Sequence, residues 1–173
     1  KSKILQYLSI GFDASISEIG ITLLSGAEIR IEKEENLKSI DRLIEILERE
    51  RITHICLPPS LLPILPIEKI PITLETIVIG GEVCPVTTVR EWTRKFRIVN
   101  VYGPTEATVC SSLVVCEPNW NKPLIGNPIP FRGFHILDED LSEVGEGESG
   151  ELYLSGVGLA REYLNLPELT DEK

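Results

Sequence analysis

The sequence predicts an α/β protein: a parallel sheet flanked by helices, followed by an antiparallel, β-rich appendix. Three observations carry this prediction. Short apolar runs ended by Gly or Pro alternate with helical periodicity over the first two-thirds of the chain, the pattern of a sheet with crossover helices. After residue 108 strand signals continue with no helix between them. The composition, 42% hydrophobic and 25% charged, is that of a folded globular chain. A length of 173 residues fits about one domain, and such a chain buries roughly two-thirds of its unfolded surface.

The elements follow in order. Ile4 to Ile10 reads as a strand ending at Gly11. Ile16, Ile19, Leu23 and Leu24 fall on one helical face, with Gly26 as the stop. Ala27 to Ile31 alternates with period two. Ile40, Leu43, Ile44 and Leu47 form the next helical stripe, with Glu45 and Arg49 as an outward i,i+4 pair. Ile52 to Leu57 is a strand closed by Pro58-Pro59, and Leu74 to Ile79 one closed by Gly80-Gly81. Pro85 suits a first helical turn, continued by Val86, Val89 and Trp92. Ile98 to Tyr102 ends at Gly103-Pro104, and apolar strands of this kind indicate a sheet covered on both faces.

Thr108 to Cys116 is a long strand, followed by a loop punctuated by Pro118, Pro123, Pro128 and Pro130. Phe134–Leu137 and Glu151–Leu154 flank an acidic, Gly-containing connection that reads as a solvated turn, because it lacks D-x-D-x-D-G ligand spacing. The expected organisation is an α/β part over residues 1–117 and a β-rich extension over 118–173.

Charge and cysteines exclude several functions. Twenty-seven acidic against seventeen basic residues give a net charge of −10, with no basic cluster, which argues against nucleic-acid binding. Cys56, Cys84, Cys110 and Cys116 show no C-x-x-C spacing and read as small buried hydrophobes in a reducing, cytoplasmic setting. His54 and His135 lie in strand-like runs and read as structural. No stretch has the roughly 18 apolar residues of a membrane span, and the start Lys1-Ser2-Lys3 has no signal-peptide layout.

In open α/β sheets, ligands bind beyond the carboxyl ends of the strands. Two such ends stand out. In Val78-Ile79-Gly80-Gly81-Glu82 the paired glycines let a flat ligand approach the backbone. Asn100-Val101-Tyr102-Gly103-Pro104-Thr105-Glu106 offers an amide, a ring, a hydroxyl and a carboxylate, a set suited to a nucleotide and Mg²⁺. An ordinary Gly-Pro turn is the alternative reading of that segment.

The segment Asn100–Glu106 resembles the N-x-Y-G-P-T-E motif of the adenylation domains of nonribosomal peptide synthetases, within the adenylate-forming ligases. Phe12-Asp13-Ala14-Ser15 resembles the family's F-D-x-S segment, and Leu57-Pro58-Pro59-Ser60 its L-P-P-S/T strand end. Gly150-Glu151-Leu152-Tyr153 through Ala160-Arg161 resembles G-E-L-x-x-x-G-x-G-L-A-R-G-Y. The four stand in family order across nearly the whole chain.

The resemblance implies that Tyr102 stacks on adenine, that Asn100 contacts its exocyclic amine, and that Gly80, Gly81, Glu82 and Gly103 wall the base. Thr105 would hydrogen-bond the α-phosphate of ATP, and Glu106 would hold Mg²⁺; these two are the candidate catalytic residues. Asp13 would pair with the α-ammonium group of an amino-acid substrate, a physically sound role because a partly buried cation needs a counter-charge. A helix N-cap is its other reading, and a surface carboxylate is that of Glu106. Matching positions place Ala14, Ser17, Cys56, Val78, Gly80, Val101, Val109 and Cys110 around the substrate side chain. None is charged, so the expected substrate is a neutral amino acid, aromatic or large aliphatic, since Gly80 and Ser17 leave room.

The partners implied are a carrier protein, whose phosphopantetheine thiol takes the aminoacyl group, and a condensation domain. Glu162 departs from the pattern where the family has glycine. The resemblance puts the Gly/Ser/Thr-rich phosphate loop before residue 1, and the ribose-binding T-G-D segment and the lid domain with the catalytic lysine after residue 173. The 173 residues alone are therefore expected to be inactive. Two other readings stay open: an acyl- or aryl-acid ligase, which shares the nucleotide motif without needing Asp13, and a non-catalytic module.

Overall fold

Short apolar runs closed by Gly and Pro are too brief for helices, and in the computed structural model, which describes residues 1–173, they form the centre of a sheet. The order along the chain is β1 (Lys3–Gln6), α1 (Ala14–Leu24), β2 (Glu28–Ile31), α2 (Glu34–Leu37), α3 (Ile40–Arg49), β3 (His54–Leu57) and β4 (Thr76–Gly80). There follow α4 (Val86–Trp92), β5 (Arg97–Tyr102), β6 (Ser112–Cys116), β7 (Asn127–Pro128), β8 (Arg132–Leu137), β9 (Glu151–Gly156) and α5 (Pro167–Glu172). Seven strands share one sheet in the order β2-β1-β3-β4-β5-β6-β7. The first five are mutually parallel, and β6 and β7 add to the edge in antiparallel register. A separate antiparallel pair, β8 and β9, forms the appendix. No helix is long and apolar enough to cross a membrane.

The chain moves from β1 to β2 in one direction along the sheet and from β2 through β3, β4 and β5 in the other. With right-handed crossovers, α1 therefore lies on one face, and α2, α3 and α4 on the other. A cluster of 20 buried residues fills the second face, with Leu43, Ile46 and Leu47 from α3, Val89 and Trp92 from α4, and Leu5, Ile55, Leu57, Ile77, Ile79 and Ile98 from the strands. Full burial of each large side chain contributes about 1.5–3 kcal/mol. Helix α3 presents the expected stripe inward, starts at Ser39, whose hydroxyl accepts from Arg42 N–H, and carries the Glu45–Arg49 pair outward at 3.7 Å.

Four sequence expectations are corrected. The first strand stops at Gln6, because the N–H groups of Tyr7 and Leu8 donate to the Glu18 carboxylate instead of a neighbouring strand. Helix α1 turns its polar stripe inward: Ser15, Glu18 and Thr22 are buried, whereas Ile16 is 66% and Leu24 92% exposed. The α1 face of the sheet is consequently only partly covered. Strand β6 starts at Ser112, since Thr108 and Val109 adopt left-handed φ angles of +54° and +66° that end an extended run.

Residues 118–128 pack with the first sheet, through buried Trp120 and the pairing of β7 with β6, and the second sheet opens at Arg132. Asp138 orders the acidic connection between β8 and β9 by accepting from Asp140 and Ser142 N–H at 2.9 Å each.

Candidate functional site

Strand order reverses between β1 and β3, and a doubly wound sheet opens its crevice there, beyond the carboxyl ends of those strands. Register decides what faces the crevice. Cys56 pairs with Val78, and Gly80 with Val101, so alternation puts these four side-chain positions on the partly covered face, opposite the core. Helix α1, on that same face, carries Asp13 at its N-cap and Ala14 and Ser17 in its first turns. Asp13 makes no capping bond with its side chain, so the carboxylate is uncommitted. It occupies the N-cap position without its side chain capping the helix.

A cavity of about 480 Å³ opens at the carboxyl ends of β4 and β5, within the size range of small-molecule sites. Gly81, Glu82, Asn100, Val101, Tyr102 and Gly103 line it, with Trp120, Pro123, Leu124 and Ile125 opposite. Asn100 Nδ2 donates to the Leu124 carbonyl at 2.8 Å, which fixes the amide and leaves its oxygen as an acceptor. Tyr102 is held by an edge-on contact with Phe134, centroids 6.4 Å apart at 90°. Gly81 has φ +82° and open space where a Cβ would stand, so a ligand can reach its backbone. At Gly80 the equivalent space is filled: a Cβ would come within 2.6 Å of Val101 Cγ2 and of the Val101 carbonyl oxygen. That glycine admits strand β5, and room for a ligand side chain has to come from Ser17.

Gly103 is needed where β5 turns away, since a Cβ there would lie 2.7 Å from the Ser111 nitrogen and from the Val109 oxygen. The following turn, Thr105–Ala107, is clasped by the appendix. Ala160 N–H donates to the Glu106 carbonyl at 2.6 Å, Thr108 Oγ1 to the Gly158 carbonyl at 2.6 Å, and Arg132 to the Ala107 carbonyl at 3.0 Å. Tyr163 donates its hydroxyl to Glu106 Oε1, which holds that exposed carboxyl below the usual carboxylate range. A charged carboxylate and a hydroxyl on one short turn, Glu106 and Thr105, are oxygen donors of the kind that suit Mg²⁺.

Burial keeps the thiols of this region protonated. Burial, with a smaller contribution from the Glu18 charge, pushes Cys56 up to about 12. Burial also raises Cys110, and pushes Cys84 and Cys116 up to about 11. All four cysteines are free. His54 and His135 make local contacts, to Thr53 and to Glu143 and Ser155.

The residues read from the sequence thus fall into three neighbouring groups. Gly81, Glu82, Asn100, Tyr102 and Gly103 share the cavity. Thr105 and Glu106 sit on the turn beyond it, and Asp13, Ala14, Ser17, Cys56, Val78 and Gly80 belong to the α1 face. Val109, with a left-handed φ, and Cys110 follow that turn on the way to β6 and pack beside Gly103. Sequence reasoning missed Trp120, Leu124 and Ile125, which lie in the proline-punctuated loop, and missed Tyr163 as a partner of Glu106. Spaced prolines do not announce a cavity wall, whereas the G-L-A-R-E-Y run did offer a signal for Tyr163.

The profile of the AMP-binding enzyme family matches residues 1–164. A linear gramicidin synthase of Brevibacillus parabrevis is 43% identical over 171 residues, covering 99% of this chain and 3% of that protein. The Klebsiella oxytoca NpsA N-terminal subdomain, solved in complex with 3-hydroxybenzoyl-AMSN, superposes with a TM-score of 0.86 at 27% identity, over 99% of this chain and 46% of that one. NpsA-ThdA, an artificially fused adenylation-PCP di-domain from K. oxytoca, gives a TM-score of 0.87 at 28% identity, over 100% of this chain and 34% of that one. The chain spans less than half the length of each of these relatives.

Proposed function

Because the chain belongs to the AMP-binding enzyme family, we propose that it is the part of a nonribosomal peptide synthetase adenylation domain that selects an amino acid and holds the adenine of ATP. The reaction is attack of the substrate carboxylate on the α-phosphorus, forming an aminoacyl-adenylate as the bond to pyrophosphate breaks. The aminoacyl group then passes to the phosphopantetheine thiol of a carrier protein, a partner supported by the adenylation-PCP fusion among the structural relatives. A condensation domain would take it next. The whole reaction needs segments homologous to the rest of those relatives, so the 173 residues alone are expected to be inactive.

One observation carries the reading: Asn100, Tyr102 and the Gly81–Glu82 backbone converge on one cavity at the strand ends. Tyr102 presents a ring face to a flat base, and Asn100, with its amide locked by Leu124, offers an oxygen to an exocyclic amine. Gly80 and Gly103 bring the strands together behind it. Thr105 would donate to a phosphate oxygen, and Glu106, kept charged by Tyr163, would be the Mg²⁺ ligand. When bound, Mg²⁺ supplies positive charge that stabilises the phosphate oxygens in the transition state. Asp13 holds the ammonium group, and the uncharged surroundings formed by Ala14, Ser17, Cys56, Val78, Val101, Val109 and Cys110 support a neutral side chain, aromatic or large aliphatic.

The test is ATP–pyrophosphate exchange by the full-length protein with a panel of amino acids. Exchange stimulated by neutral side chains is expected, and a preference for Asp, Glu, Arg or Lys would overturn the pocket reading. The relative solved with a hydroxybenzoyl ligand favours an aryl-acid substrate as a second reading. Asp13→Ala separates the two, because it abolishes exchange with amino acids and leaves exchange with aryl acids intact.

A further inference from the structure

Three candidate substrate residues, Asp13, Ala14 and Ser17, ride on α1, so the shape of the amino-acid site depends on where that helix sits. Apolar packing against the strands does not hold it, since its apolar stripe faces away from the sheet. The buried stripe does, and Glu18, 3% exposed, is its only ionisable member. One carboxylate oxygen accepts from Tyr7 N–H at 3.2 Å, and the other accepts from Leu8 N–H at 3.1 Å and Gln6 Nε2 at 3.3 Å. These donors are the last residue of β1 and the first two of the loop that leads to Asp13. Register pairs Leu5 with Ile55, which brings Gln6 level with Cys56, a candidate pocket residue close enough to feel the Glu18 charge. The whole junction lies at the point where strand order reverses.

We propose that Glu18 is a positioning residue for the amino-acid substrate, tying α1 to the end of β1 so that Asp13 stands at a fixed distance from Cys56 and Val78. This rests on the adenylation reading above. Without the carboxylate, two loop N–H groups lose their acceptors. The loop and α1 are then free to shift, carrying the ammonium partner away from the side-chain pocket. The adenine cavity is built from β4, β5 and the 120–125 loop, and shares no member with this junction. Amino-acid recognition therefore fails separately from nucleotide recognition.

The experiment uses Glu18→Gln and Glu18→Ala in the full-length protein. Glu18→Ala is expected to raise the amino-acid KM about tenfold with the ATP KM changed less than about twofold, and Glu18→Gln, which keeps one acceptor oxygen, to fall between. Equal rises in both KM values, or no rise in either, would overturn the proposal. A second readout is independent of turnover and of a fully folded alanine variant. Amide hydrogen exchange should speed up over residues 7–17 in Glu18→Gln and stay unchanged over residues 97–103. Unchanged protection of residues 7–17 would refute the anchor whatever the reaction. Wild-type protein that shows no ATP–pyrophosphate exchange with any amino acid would refute the amino-acid reading instead, and the amide protection would still decide the anchor.

Discussion

The two faces of the seven-stranded sheet are built on different terms. On one, α3 and α4 press Leu47, Val89 and Trp92 against Ile55, Ile77 and Ile98, all nearly inaccessible. On the other, α1 leans on β1 and β2 through Ser15, Glu18 and Thr22; the two hydroxyls donate to nearby carbonyls of their own segment, and the Glu18 carboxylate alone reaches across, to the N–H groups that follow β1. Apolar packing is non-directional and tolerant of small shifts, whereas hydrogen bonds fix angle and distance. The first face supplies stability. The second, which carries the candidate substrate residues, supplies position.

The largest effect is expected on the packed face. Trp92→Ala removes a side chain that is 1% exposed and packs against Phe96, and should cost about 3–5 kcal/mol in urea unfolding. Tyr102→Ala sharpens the contrast: stacking on a base is worth about 1–3 kcal/mol, so ATP should bind roughly 5- to 150-fold more weakly. The urea midpoint should move far less than for Trp92→Ala.

The positional face should also answer to pH. Burial pushes Glu18 up to about 7 from an ordinary 4.5, so the folded chain binds this proton more tightly than the unfolded one. Its contribution to stability is complete below about pH 4.5 and is lost as pH rises through about 7. The stability difference between wild type and Glu18→Gln, measured by denaturation at several pH values, should fall across that window and be flat on either side. Smallest of all, Leu24→Lys on the outward stripe of α1 should change stability by no more than about 0.5 kcal/mol. A larger loss in thermal unfolding would mean that this stripe packs after all, and the contrast between the faces would collapse.

Much of this was readable in advance, for identifiable reasons. Strands β3, β4 and β5 are apolar runs with Pro or Gly at their ends, and the Asn100–Glu106 segment carries its chemistry in seven consecutive residues. The direction of α1 was not readable. Its periodicity defines an apolar stripe and, equally, a polar stripe at Ser15, Glu18 and Thr22; which one meets the sheet depends on partners elsewhere. The lock on Asn100 was hidden too, because Leu124 contributes a backbone carbonyl, which every residue has. The left-handed pair Thr108-Val109 breaks a run whose β-branched residues favour a strand. Tertiary bonds from the appendix hold it against that preference.

Those bonds also bear on the order in which the molecule assembles. Thr108 meets Gly158 across 50 positions of chain, and Glu106 meets Tyr163 across 57. Closing such long loops costs entropy before it returns contacts, so the turn bearing Thr105 and Glu106 is stitched into place only after β5, β6 and the β8–β9 pair exist. A nascent or damaged chain can therefore own a finished sheet and an unfinished candidate site.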